Sequence, residues 1–197
     1  MSYNGFYQAE WGWFSKDRFQ ISSAGIDYNN KHVALEEITG ISWGATTTWY
    51  GGIIPQTDYK INIQSAQGGF YVYPTKRKIF DAIIDNLWQA VGVNLMVMIL
   101  LKLREGKTLH IGQMKFTDLG IFLKNQSFFE NDKKFFAWNE GLQIYSENGS
   151  VFIATKNKDY ATSAPYDLTN TPVFEVLIRQ FFKNFNYNNP RLSSLLQ

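Results

Sequence analysis

The chain has 197 residues and carries few groups able to do covalent chemistry: two histidines, His32 and His110, and no cysteine. Neither histidine has a second histidine or a carboxylate at metal-ligand spacing, and no P-loop, dinucleotide-binding glycine pattern, G-x-S-x-G or zinc signature occurs. Glu36 and Glu37 are adjacent. On a strand they point to opposite faces, so they cannot flank a substrate as an acid/base pair. The residues thus predict no catalytic group, no metal site and no cofactor, and a protein that is not an enzyme. Basic residues cluster at Lys76-Arg77-Lys78, at Lys102, Arg104 and Lys107, at Lys133-Lys134, and at Lys156 and Lys158. Lys76, Arg77 and Lys78 stand out because they open a predicted helix, where positive charge opposes the dipole unless an anion is near. They are the candidate anion contact, against the plainer reading of a solvated cluster.

A different kind of site is suggested between Trp43 and Asp58, WGATTTWYGGIIPQTD. Trp49, Tyr50, Ile53 and Ile54 are costly to leave in water, at roughly 1.5–3 kcal/mol for a full aliphatic side chain. The segment reads as a loop. Either it folds back on its own protein or these four residues form a surface for a protein partner or for self-association.

Composition narrows the partner classes. Hydrophobic residues make up 45% and aromatics 17%, enough for a well-filled core. A net charge of +2 is too balanced for a dedicated nucleic-acid binder, while a pI near 8.6 leaves weak attraction to anionic membranes open. MSYNGFYQAEWGWF lacks the basic and aliphatic segments of a secretory signal, which predicts a cytoplasmic protein. The apolar run Val91–Leu101 is short against the ~20 residues a bilayer core needs, so no transmembrane segment is expected.

The elements that must position these residues follow from periodicity. Pro74–Gly106 predicts one long helix, with Thr75 as N-cap and Gly106 just past its end. Its first half is amphipathic. Its second half is apolar all round and should be buried on most sides, by a second domain or another copy. Before it lie short alternating strands, with a hairpin over Phe19–Tyr28 and a turn at Asn29-Asn30. After Gly106 the order begins again, with a hairpin over Met114–Leu123, later strands around Phe135, Leu142 and Val151, and a closing helix after Pro172. The halves superpose with a shift of about 95 residues, the scale of one small domain. Ile21-Ser22-Ser23-Ala24-Gly25-Ile26 falls on Phe116-Thr117-Asp118-Leu119-Gly120-Ile121.

In these paired hairpins, in Ala34–Trp43, and in the helices after Thr75 and Pro172, the chain resembles the pleckstrin-homology-like superfold, in particular bacterial proteins with two such domains in tandem. The resemblance covers roughly residues 10–185. It implies a mainly β fold with α, two small β-barrel or sandwich repeats each closed by a C-terminal helix, and a binding or scaffolding role. Members that bind phosphoinositides carry lysine and arginine in the first hairpin loop, and Ser22–Gly25 and Thr117–Gly120 carry none. The expected organisation is a first domain over 1–106, a second over 107–185, and a loosely held tail over 186–197. The expected function is a non-enzymatic module for protein interaction or self-association, the alternatives being a peripheral binder of anionic phospholipid and an enzyme of unrecognised type.

Overall fold

The computed structural model describes residues 3–12, 16–127 and 132–196. The fold is mainly β, with antiparallel sheets and few helices. It divides into two compact units, Met1–Leu95 and Met96–Gln197. The division falls inside the long helix, not after it at residue 106.

In the first unit, β1 (Tyr7–Trp11), β2 (Asp17–Ile21), β3 (Ile26–Tyr28) and β4 (Lys31–Val33) form a four-stranded meander. Glu36 and Glu37 lie on a single 3₁₀ turn, Leu35–Glu37, where a strand was expected. A second meander follows from β5 (Ile38–Tyr50), β6 (Ile54–Ser65) and β7 (Gly68–Val72). Alternation aims Phe19, Ile21, Ile41, Ile61, Ile63 and Val72 inward, all fully buried. Helix α1 (Arg77–Leu87) buries Phe80, Ile83 and Leu87. Its N-cap is Lys76, not Thr75, and no side chain caps it. At Trp88–Gly92 the helix widens to a π turn, and a Cβ on Gly92 would lie 2.7 Å from the Trp88 indole. Glycine is therefore what lets the indole lie against the helix there.

The helix continues as α2 (Val93–Arg104) and ends as expected at Gly106, whose φ is +80°. The Lys107 amide donates to the Lys102 carbonyl at 3.1 Å, the closing bond of a left-handed helix stop. Leu95, Ile99, Leu100 and Leu103 are buried, but Val93, Val97 and Leu101 are 36–46% exposed, so the run is not buried on most sides. As one helix, Arg77–Arg104 spans 28 residues and is long and apolar enough to cross a membrane by length and composition, with 44% of its most apolar window buried. The 11-residue run alone understated that length.

The second unit repeats the order of elements. β8 (Leu109–Ile111), β9 (Met114–Phe116), β10 (Gly120–Asn125) and β11 (Lys133–Ala137) form one meander, and β12 (Gln143–Glu147), β13 (Ser150–Ala154) and β14 (Tyr160–Pro165) another. Here β14 pairs with β10 beyond the end of β9, at Lys124↔Ala161, joining the meanders into one seven-stranded sheet. Helix α3 (Thr171–Lys183) lays Val173, Phe174, Leu177, Ile178 and Phe181 on the core, with Phe174 and Phe116 ring centroids 4.4 Å apart. Among the described residues no sheet closes on itself, so neither half forms a closed barrel.

The first hairpin turn is built the same way in both units. The Ser22 and Thr117 amides donate to the Gly25 and Gly120 carbonyls at 2.9 and 2.8 Å. Their hydroxyls accept from the Ala24 and Leu119 amides, each at 3.3 Å. A Cβ on Gly25 would lie 2.4 Å from the Val33 carbonyl of β4, and one on Gly120 would lie 2.1 Å from the Phe136 carbonyl of β11. Each glycine is required by the close approach of the fourth strand.

The segment past Phe185, expected to be loosely held, is pinned to the second of these turns. Leu192 is fully buried and its amide donates to the Asp118 carbonyl at 3.0 Å. The Ser193 amide and hydroxyl donate to the Asp118 carboxylate at 2.7 and 2.8 Å. A 3₁₀ turn, Leu192–Leu196, follows from this attachment.

Candidate functional site

β12 is the last strand in its sheet order, so among the described residues its outer edge has no strand beside it. Such an edge presents unpaired N–H and C=O groups. Along it lies α3. Gln143, Ile144 and Tyr145, at the start of β12, line a cavity of about 530 Å³ with Trp138, Phe182 and Phe185. Ser146, near the end of β12, meets Glu175 and Arg179 in the first two-thirds of α3. Strand and helix therefore run antiparallel, with an aromatic socket at one end of the groove and a polar cluster at the other.

The socket exists because the end of α3 and the chain just past it carry more aromatic residues than the core can bury. Phe181 is buried, while Phe182, Phe185 and Tyr187 extend past it in edge-to-face and tilted contacts, and Tyr187 is 80% exposed. Trp138 forms the floor, its ring edge-on to Phe181 and Phe182. Its Nε1 donates to the Thr117 carbonyl at 3.3 Å, leaving an apolar surface toward the socket.

At the other end, Glu175 accepts from Ser146 at 2.6 Å, from Arg179 Nε at 2.8 Å and from the Tyr166 hydroxyl, and Arg179 Nη2 donates to Ser146 Oγ at 2.9 Å. Burial pushes the Glu175 carboxyl up, but the bonds from Ser146, Tyr166 and Arg179 together outweigh it and hold the group below its ordinary value. Tyr166 is raised, by burial and then by its bond to Glu175. Fully bonded, the cluster fixes the spacing of β12 from α3 and presents the Arg179 guanidinium, which is 46% exposed.

The residues singled out from sequence lie elsewhere. The segment around Trp49 is not a loop but the far part of the β5–β6 hairpin, paired from Ile41↔Ile63 to Tyr50↔Ile54 and turned at Gly51 and Gly52, both with positive φ. β7 accompanies β6 only over Ile61–Ser65, so residues 44–60 form a two-stranded ribbon. Trp49, Ile53 and Ile54 are 61%, 82% and 67% exposed, so the tip of the ribbon does not fold back on its unit. The side chain of Tyr50 lies outside the described residues, as do Trp13 and Phe14. Lys76, Arg77 and Lys78 are exposed, and Arg77 pairs with Asp81 at 3.5 Å. His32 meets one carboxylate, that of Asp27 opposite it across β3 and β4, with Nδ1 2.8 Å from the carboxylate. Both are about half exposed, as in an ordinary surface pair. Among the described residues, no group of three or more potential metal ligands gathers.

Comparison with models of known protein families, with curated proteins and with solved structures finds no match.

Proposed function

We propose that this chain is a non-enzymatic binding or scaffold module made of two pleckstrin-homology-like units in tandem, and that its second unit takes an extended protein segment in the groove between β12 and α3. The observation that carries this reading is a free strand edge lying beside an aromatic socket of about 530 Å³. An extended segment added to β12 gains main-chain hydrogen bonds along Gln143–Glu147, and the socket takes one large apolar side chain. Arg179 at the far end favours an acidic or carboxylate group there. The tandem assignment is supported by the shared element order and by the matching turns at Ser22 and Thr117. A peptide library displayed on phage and panned against the full chain tests it. Selected peptides should share an aromatic or large aliphatic anchor and lose binding to Phe185→Asp.

A second reading, self-association through the β5–β6 ribbon, is favoured by the exposure of Trp49, Ile53 and Ile54. Two-stranded ribbons alone are marginal in water, and one with an apolar tip gains most by docking. Light scattering of the chain with Trp49→Ser and Ile53→Ser separates this reading from the first. Vesicle flotation with Lys76→Ala, Arg77→Ala and Lys78→Ala separates both from anionic-lipid binding.

A further inference from the structure

On the outer face of the seven-stranded sheet, topology gathers lysines that the sequence scatters. Lys124 on β10 stands directly opposite Lys133 on β11, and Lys115 on β9 directly opposite Phe122 on β10. Like charges facing each other across a sheet are destabilising unless something negative lies between them. Among the described residues, none of the ion pairs contains Lys115, Lys124 or Lys133. The Lys115 ammonium lies over the Phe122 ring at 4.6 Å.

Beside this pair is a cavity of about 230 Å³, at the corner where β14 takes over from β9 as the neighbour of β10. Lys124 and Lys133 line it together with Gln113, Ser163 and the rings of Phe122 and Phe152, and among the described residues its lining contains no carboxylate. The corner is held by Gln126, whose Nε2 donates to the Lys124 and Ala161 carbonyls at 2.9 and 3.3 Å. Two lysines, a serine and a glutamine line it beside two aromatic rings, with Lys124, Lys133 and Gln113 exposed at its mouth. An anion there would gain charge-assisted bonds from the lysines. At this volume the cavity is smaller than the ~300–1,000 Å³ of pockets that enclose a whole organic ligand. It suits one tetrahedral anion and the group attached to it.

We propose that this cavity binds a phosphoryl group, either free phosphate or the terminal phosphate of a small monoester whose attached ring lies between Phe122 and Phe152. The site is separate from the β12–α3 groove, and its failure would leave the groove reading intact.

The test is a titration of the full chain with inorganic phosphate, with phenyl phosphate, and with chloride at matched ionic strength, followed by amide NMR shifts. Saturable shifts at Lys124, Lys133 and Ser163 are expected with both phosphates and not with chloride. Lys124→Gln with Lys133→Gln should weaken binding about tenfold or more, as expected for loss of one or two charge-assisted bonds. Lys16→Gln with Lys31→Gln, in the other unit, should leave it unchanged, and unshifted amides elsewhere show that each variant is folded. Tighter binding of phenyl phosphate identifies a ring-bearing monoester as the ligand class, and equal binding identifies free phosphate; either upholds the site. No saturable shift up to about 20 mM, some twentyfold above a weak 1 mM affinity, overturns it. So do equal shifts with chloride, or undiminished binding in the Lys124/Lys133 variant.

Discussion

The β5–β6 hairpin and the β12–β13 hairpin hold the same place in the two units, yet their strands are 13 and 12 residues long in one and 5 and 5 in the other. The short hairpin turns at Asn148-Gly149, both at positive φ, and stays within its sheet. The long one passes beyond its third strand and ends in exposed apolar residues. The second unit is completed without such a ribbon, and under the reading proposed above the extra length would serve recognition. In the second unit the aromatics beyond the core lie instead at the end of α3 and just past it, in Phe182, Phe185 and Tyr187, and the groove they line is the proposed recognition surface.

If that contrast holds, the largest loss of stability comes from the core of the second unit. Phe174→Ala, which removes a fully buried ring against Phe116, should cost about 3–5 kcal/mol in chemical denaturation. Gly120→Ala should follow at about 1–3 kcal/mol, since the new methyl must push back the Phe136 carbonyl, and Gly25→Ala should cost at least as much, since its φ of +155° adds backbone strain to the clash with the Val33 carbonyl. Asp118→Ala should cost about 1–3 kcal/mol and expose the chain after Phe185 to limited proteolysis, because the Ser193 amide and hydroxyl lose their acceptor.

A smaller, pH-dependent effect sharpens the role of the polar end of the groove. The Glu175 carboxyl is held below its ordinary value in the folded chain, so its contribution is present above the unfolded value, about 4.3, and fades as pH falls through the lower folded value. Glu175→Gln should thus lower the melting temperature at pH 7 and make progressively less difference under acid. The smallest effect belongs to the ribbon: Trp49→Ser or Ile53→Ser should change stability by no more than about 0.5 kcal/mol. A larger loss would mean that the ribbon is packed in the folded protein.

How much of this could be read from the chain varies by element. The hairpin turns were legible because Ser22 to Gly25 and Thr117 to Gly120 repeat in both residue type and spacing. β14 was not: YATSAP is small, polar and ends in proline, and it becomes a strand only because β10 and β13 offer edges on both sides of it. The ribbon read as a loop because Ala45–Thr48 has no apolar alternation, and none is needed where both faces meet water. The groove was hidden by distance along the chain, since Leu142 and Phe185 are brought together only by packing α3 on the sheet. One signal was available: Phe181, Phe182, Phe185 and Tyr187 crowd the end of α3 and the chain just past it. Lys133 stood in a basic cluster with Lys134, but its pairing with Lys124 had no signal, because strand register brings the two together.

The groove is tested most directly by hydrogen exchange on the full chain, alone and saturated with a phage-selected peptide. Strand addition predicts slowed exchange at amides of Gln143–Glu147, together with loss of binding in Phe185→Asp and unchanged binding in Trp49→Ser. Protection confined to the β5–β6 ribbon, or binding that survives Phe185→Asp, would contradict the assignment of the groove as the recognition site.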